Sequence, residues 1–216
     1  MKTRILLVDD HELVRRGIRS LLEAEDDFEV CAEAADGRQA IELVRELTPD
    51  VVVMDIGMPG LNGIDATRRI RKTDRRTEVL ALSLHESEHF AREVLAAGAR
   101  GYVFKSDAAH EVVQAVRSIL RKKQYLTKRL AESAERLGLA EKKKSNASTG
   151  SRLTRREREV MQLVAEGHSS RSISEVLKIS VKTTETHRAR IMKKLDLKSV
   201  ADLVRYALRE GIIVST

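Results

Sequence analysis

One short run constrains this chain more than any other. Residues 51–60 read VVVMDIGMPG: four apolar residues, a single carboxylate at Asp55, then a turn through Gly57, Pro59 and Gly60. An unbroken apolar run bounded by turn formers predicts a strand buried on both faces, hence a parallel sheet with helices on either side. Asp55 then stands at the carboxyl end of that strand. Open parallel sheets gather ligands and reacting groups at this edge.

Similar runs recur through the first half. RILLV (4–8), FEVCAEA (28–34), VLAL (79–82) and GYVF (101–104) alternate with amphipathic patterns over 11–25, 38–47, 64–72, 89–97 and 108–123. This alternation implies right-handed crossovers and predicts a five-stranded parallel sheet, doubly wound, covered on both faces. The strand ends can then be compared. Asp9 and Asp10 follow the first strand, Asp55 closes the third, Ser83 follows the fourth and Lys105 the fifth.

That set of charges dictates chemistry. Two carboxylates about 4 Å apart repel by roughly 4 kcal/mol at an effective dielectric of 20, and a single Lys cannot offset three of them. A bound cation relieves the repulsion. Oxygen donors on a solvent-open edge suit Mg2+, which takes one or two carboxylates together with a phosphate oxygen. A metal, a carboxylate, a Lys and a hydroxyl around one point make a phosphoryl-transfer site with the carboxylate as nucleophile.

These residues carry a resemblance. Asp9-Asp10, MDIGMPGLNG around Asp55, Ser83 and GYVFK ending in Lys105 resemble the receiver domain of two-component response regulators, a flavodoxin-like α/β fold, over residues 1–122. The resemblance implies that Asp55 accepts phosphate from a sensor histidine kinase. It implies that Asp10, Asp55 and the Gly57 backbone carbonyl ligate Mg2+, with Asp9 acting through water. Lys105 would bind a phosphoryl oxygen, and Ser83 and Tyr102 would form the switch pair, the ring turning inward behind the hydroxyl. Ser106 stands where many receivers have Pro, and Gly57 leaves the entrance open with His85 nearby.

The second half differs in charge. Residues 1–120 carry 17 basic and 22 acidic residues, whereas residues 151–216 carry 14 and 8. A basic back half suggests a polyanionic partner. Between them, residues 123–151 read as a linker: LTKRLAESAERLGL continues as a helix with Leu126, Leu130, Ala134 and Leu137 on one side, and EKKKSNASTGS (141–151) is flexible.

Residues 152–216 contain four helix signals and predict an all-α helix-turn-helix domain. Thr154 and Glu157 form a capping box, Ser170 to Leu177 is a short second helix, Ser180 caps a third over 181–195, and Ser199 caps a fourth that stops at Gly211. LTRREREVMQLVAEG and ISVKTTETHRARIMKKL resemble the LuxR-type helix-turn-helix of the NarL/FixJ response regulators. Arg155 replaces a common Pro there, Thr184 a common Val, and Lys178 a turn residue that is often Gly.

On the third helix Thr184, Ile191 and Leu195 form the inward stripe, and Lys182, Glu185, Thr186, Ala189 and Lys193 lie on another face. That face is expected to enter the major groove of double-stranded DNA, with Thr183, Arg190 and Lys194 beside it on the backbone. His187 and Arg188 either support the helix or reach phosphate. Val200, Leu203, Val204 and Ala207 on the fourth helix are expected to join two copies into a dimer when phosphorylated.

The expected function is a phosphorylation-controlled transcription factor in the cytoplasm, not an enzyme beyond accepting and shedding its own phosphate. No apolar run reaches the ~18 residues of a membrane helix, the start does not read as a signal peptide, and the single Cys31 allows no internal disulfide. Two rivals remain. An aspartyl-phosphate phosphatase would place a second acid where Gly57 stands, and a regulator that never takes phosphate would not need the complete acidic set. RNA binding is disfavoured, since 3% aromatic residues offer few stacking platforms.

Overall fold

The computed structural model describes residues 2–84, 88–131, 153–209 and 212–213. It divides into two units, residues 1–141 and 142–216. The linker expected over 141–151, Ala134 and Leu137, His85 and Gly211 lie outside the described residues.

In the first unit, β1 (Thr3–Val8), α1 (Glu12–Glu23), β2 (Phe28–Ala34), α2 (Gly37–Leu47), β3 (Val51–Asp55), α3 (Gly63–Thr73), β4 (Glu78–Ser83), α4 (Glu88–Ala96), β5 (Gly101–Phe104) and α5 (Ala108–Leu120) alternate as expected. The strands lie in the order β2-β1-β3-β4-β5, all parallel. Strand side chains alternate between faces. Leu6, Val8, Val52, Met54, Tyr102 and Phe104 meet α2, α3 and α4, whereas Ile5, Leu7, Val51, Val53 and Val103 meet α1 and α5. Burial on both faces is why these strands read as continuous apolar runs.

A sixth strand departs from the sequence reading. Tyr125–Leu126 forms β6, which pairs in parallel with β5. Leu126, expected on a helix, is therefore in the sheet, and helical residues begin only at Lys128. The stretch expected to open the linker after residue 122 is fastened to the sheet by Tyr125 N–H to Arg100 O at 3.1 Å and Thr127 N–H to Tyr102 O at 3.0 Å.

The second unit comprises α6 (Arg155–Ala165), α7 (Ser170–Leu177), α8 (Val181–Leu195) and α9 (Val200–Arg209). Both halves of the capping box are made at α6: Glu157 N–H donates to Thr154 Oγ1, and Thr154 N–H to Glu157 Oε2 at 2.7 Å. Ser180 caps α8 through Thr183 N–H at 3.0 Å. The tight turn before α8 places Lys178 at φ 52°, a left-handed conformation that favours Gly. The Thr184 hydroxyl, fully buried, donates to Ser180 O at 3.3 Å, which provides the partner its burial requires.

Candidate functional site

The chain leaves β1 for β2 on one side and returns through β3 on the other, so the carboxyl ends of β1 and β3 flank the sheet's switch point. Asp9 and Asp55 meet there, 0% and 3% exposed. Gly63, at the start of α3, permits the close packing beneath them: a Cβ on it would stand 2.0 Å from the Asp55 carbonyl oxygen. Lys105 reaches across from β5. Its ammonium lies 2.6 Å from Asp9 Oδ2 and 2.9 Å from Asp55 Oδ2. Gly57 N–H donates to Asp55 Oδ1 at 3.1 Å, and His11 N–H to Asp9 Oδ1 at 2.8 Å.

Asp10 faces the open side with its side chain 25% exposed, and its Oδ1 lies 2.9 Å from His11 Nδ1. Ligand atoms of Asp9, Asp10, His11 and Asp55 all lie within 4.8 Å of one another, close enough to hold one metal ion. Sequence reasoning missed His11. Its signal was adjacency to the acid pair, which is weak because a side chain's direction after a strand end is set by the turn.

The electrostatics separate the partners. Burial pushes the Asp55 carboxyl above its ordinary range and Asp9 adds to this, while Lys105 and the Gly57 N–H oppose it. Burial disfavours the Lys105 charge, yet Asp55 and Asp9 together hold its pKa above the ordinary value. The ammonium is thus secure and Asp55 is the reluctant ion. A cation beside it would favour the carboxylate.

Ser83 and Tyr102 lie on neighbouring strands and both are fully buried. Burial raises the Tyr102 phenol to about 12, and a hydrogen bond joins it to the Ser83 hydroxyl. The ring packs edge-on against Phe104, with centroids 5.7 Å apart. The ring expected to turn inward with phosphorylation is therefore already inside, because strand alternation aims residues 102 and 104 at the core shared with α3 and α4.

On α8, Lys182, Thr183, Glu185, Thr186, Ala189, Arg190, Lys193 and Lys194 are all exposed, while Thr184 and Ile191 are buried. Arg188 Nη1 donates to Ser170 Oγ at 2.8 Å, tying α8 to α7. Lys194 is already engaged: its ammonium lies 2.6 Å from the buried Glu157 carboxylate of the capping box. The dimer face expected on α9 needs correction. Leu203 and Ala207 are 1% and 0% exposed, in the unit's own core, because the apolar stripe of α9 packs inward. Val200 is exposed and Val204 half-buried.

Residues 5–117 match the response regulator receiver domain, and residues 151–207 match the bacterial regulatory proteins of the luxR family. This chain belongs to the two-component response regulators. The regulator is 37% identical to the oxygen regulatory protein NreC of Staphylococcus haemolyticus, over 97% of its own length and 99% of that protein's. It is 36% identical to the transcriptional regulatory protein DegU of Brevibacillus brevis, over 97% and 94%. A LuxR-family two-component response regulator from Aurantimonas sp. superposes with a TM-score of 0.61 at 44% identity, over 63% of the regulator and 99% of that chain.

The regulator is thus a transcription factor with a receiver unit and a LuxR-type DNA-binding unit, and the phosphatase reading loses its support. A receiver implies a histidine kinase partner, and a LuxR-type unit implies DNA. Among the described residues no helix is long and apolar enough to cross a membrane.

Proposed function

We propose that the regulator accepts a phosphoryl group on Asp55 from the phosphohistidine of a sensor histidine kinase, and that this change promotes sequence-specific DNA binding through α8. The observation that carries the reading is the Lys105 ammonium seated between Asp9 and Asp55 at the switch point. An Asp55 carboxylate oxygen attacks phosphorus, the bond from phosphorus to the imidazole nitrogen breaks, and the nitrogen keeps the electron pair. Lys105 binds a phosphoryl oxygen. The Ser83 hydroxyl exchanges its bond to Tyr102 for one to the same phosphoryl group.

The donor set fits Mg2+: three carboxylates within 4.8 Å, opposed by one ammonium. Asp10, Asp55 and the Gly57 carbonyl would hold the ion, with Asp9 acting through water. Bound there, it supplies positive charge to the phosphoryl oxygens and to the reluctant Asp55 carboxylate.

Two-state control follows if phosphate binds one arrangement better than the other, whether the change is in domain docking or in dimerisation. On α8, Glu185 would accept from a cytosine amino group, and Thr186 and Ala189 would meet thymine methyls. Lys182, Thr183, Arg190 and Lys193 would position the helix, and Lys194 would join them only by giving up Glu157. Val200 and Val204 are what α9 leaves for a second copy.

Intact-mass measurement after incubation with acetyl phosphate and Mg2+ tests the core of this reading. One phosphate should appear on the wild type, and none on Asp55→Asn or in EDTA. Full labelling of the variant would overturn it.

A further inference from the structure

The stretch that leaves the receiver does not depart from the end of α5. It runs back along β5 to the carboxyl edge of the sheet, and its attachments gather around Lys105. Thr127, 1% exposed, donates its N–H to Tyr102 O at 3.0 Å. The Thr127 hydroxyl donates to Asp107 Oδ2 at 3.1 Å. Asp107 occupies the N-cap position of α5 yet makes no capping bond to its own helix; its other oxygen accepts from Ser106 Oγ at 3.2 Å. Its carboxylate therefore ties the turn that carries Lys105 to the departing strand, in place of the usual cap.

Two further attachments reach the neighbours of Lys105 through side chains. The Arg129 guanidinium stands 5.7 Å from the Phe104 ring centroid, and that ring packs edge-on against Tyr102. Leu130 is buried in the same core as Tyr102 and Phe104. Tyr102 in turn is hydrogen-bonded to Ser83. A continuous set of contacts thus runs from the Ser83 hydroxyl through two rings to Arg129, which precedes the DNA-binding unit in sequence.

We propose that residues 125–131 form a strap through which the phosphoryl state reaches the chain between the two units, with Thr127 and Arg129 as positioning residues acting through Asp107 and Phe104. The inference rests on Asp55 being the phosphoacceptor. When Ser83 turns to a phosphoryl oxygen, Tyr102 loses its hydroxyl partner. The Phe104 platform under Arg129 then relaxes, while Lys105, drawn to the phosphoryl group, pulls the turn that Asp107 anchors to Thr127. Both attachments have different contacts in the two states, which is what coupling between sites requires.

The test uses the full chain with beryllofluoride as the acyl-phosphate mimic and a duplex selected by the wild type. Thr127→Val keeps the shape of the side chain and removes its hydroxyl; Arg129→Met keeps the stem and removes the cation. Both variants should label with acetyl phosphate and bind DNA without the mimic as the wild type does. The gain in DNA affinity on adding beryllofluoride should fall about tenfold, within the range of allosteric couplings, and Thr127→Ser should restore it. In the wild type, exchange of the Thr127 and Leu130 amides should change on adding the mimic. Unchanged gains in both variants, or unchanged exchange at those amides, would overturn the strap. A wild type that takes no phosphate on Asp55 would instead overturn the phosphoacceptor reading itself, and the strap with it.

Discussion

Replacing Asp55 should stabilise the metal-free protein. At an effective dielectric of 20, ionised Asp55 gains about 6 kcal/mol from Lys105 at 2.9 Å. It loses roughly 3.5 kcal/mol to Asp9, whose ligand oxygen lies within 4.8 Å, and a smaller, solvent-screened amount to the more exposed Asp10. Repulsion offsets much of the pairing, and burial is the largest influence, in keeping with the raised Asp55 pKa. Asp55→Asn preserves the shape and removes the charge. In EDTA at neutral pH it should gain about 1–2 kcal/mol, or roughly 3–10 °C in the receiver transition.

The pH dependence has a definite sign. Because the folded pKa lies above the unfolded one, ionised Asp55 costs stability in full above its folded pKa, and the cost declines as pH falls below that value and is gone below the unfolded pKa. The advantage of Asn should therefore shrink towards acid. Mg2+ at 100 times its Kd should stabilise the wild type by about 2.7 kcal/mol and do less for the variant, reversing their order. Scanning calorimetry in EDTA and in Mg2+ measures both effects. An Asn variant that melts below the wild type in EDTA at neutral pH would refute the argument, since the Lys105 pairing would then outweigh burial.

Other perturbations separate the remaining roles. Lys105→Met leaves Asp9 and Asp55 buried without their cation and should cost ~3–5 kcal/mol in urea denaturation, with part of the loss recovered in Mg2+. Glu185→Ala should relax base preference at one position by ~1–3 kcal/mol in a randomised-operator selection, whereas Lys182→Ala should weaken all sequences alike and reduce the salt slope by about one. Leu203→Ala should destabilise the DNA-binding unit by ~2–5 kcal/mol as a core cavity. Val200→Glu, on the exposed side of α9, should leave melting unchanged and weaken self-association in sedimentation. Glu157 is buried, but Lys194 and Thr154 hold its pKa below the ordinary value, so its contribution is present above the unfolded pKa and lost as pH falls through the folded one. Lys194→Met should flatten that acid limb in a pH series of melts.

What the sequence revealed and what it concealed have different physical origins. Asp9, Asp55, Ser83 and Lys105 were legible because strands buried on both faces announce themselves, and each ends at a polar residue on one edge. The α8 faces were legible because burial there follows a helical period, with Thr184 and Ile191 inward and Glu185 and Ala189 outward. β6 was concealed because two residues carry no period, and Leu126 also fitted a helical spacing. The α9 stripe showed an apolar face without saying what covers it, and α6 covers it before any second copy can. The Lys194–Glu157 pair joins positions 37 residues apart, and local pattern is blind to such contacts.

The two margins of the receiver sheet are both poor invitations to another chain. On β2 the ladder to β1 is broken between Ile5 and Leu6, where Cys31 is passed over, and Glu33 further along is held by Arg15 and Arg19. At the other margin β6 occupies β5 with only two residues, too short a row to template a further strand. A fragment ending at residue 122 would lack that cover. The Arg100 and Tyr102 carbonyls that now accept from Tyr125 and Thr127 would be bared on an apolar strand. Such a fragment, though it keeps Asp9, Asp10, Asp55, Ser83 and Lys105, should be prone to strand addition and aggregation that the longer chain resists.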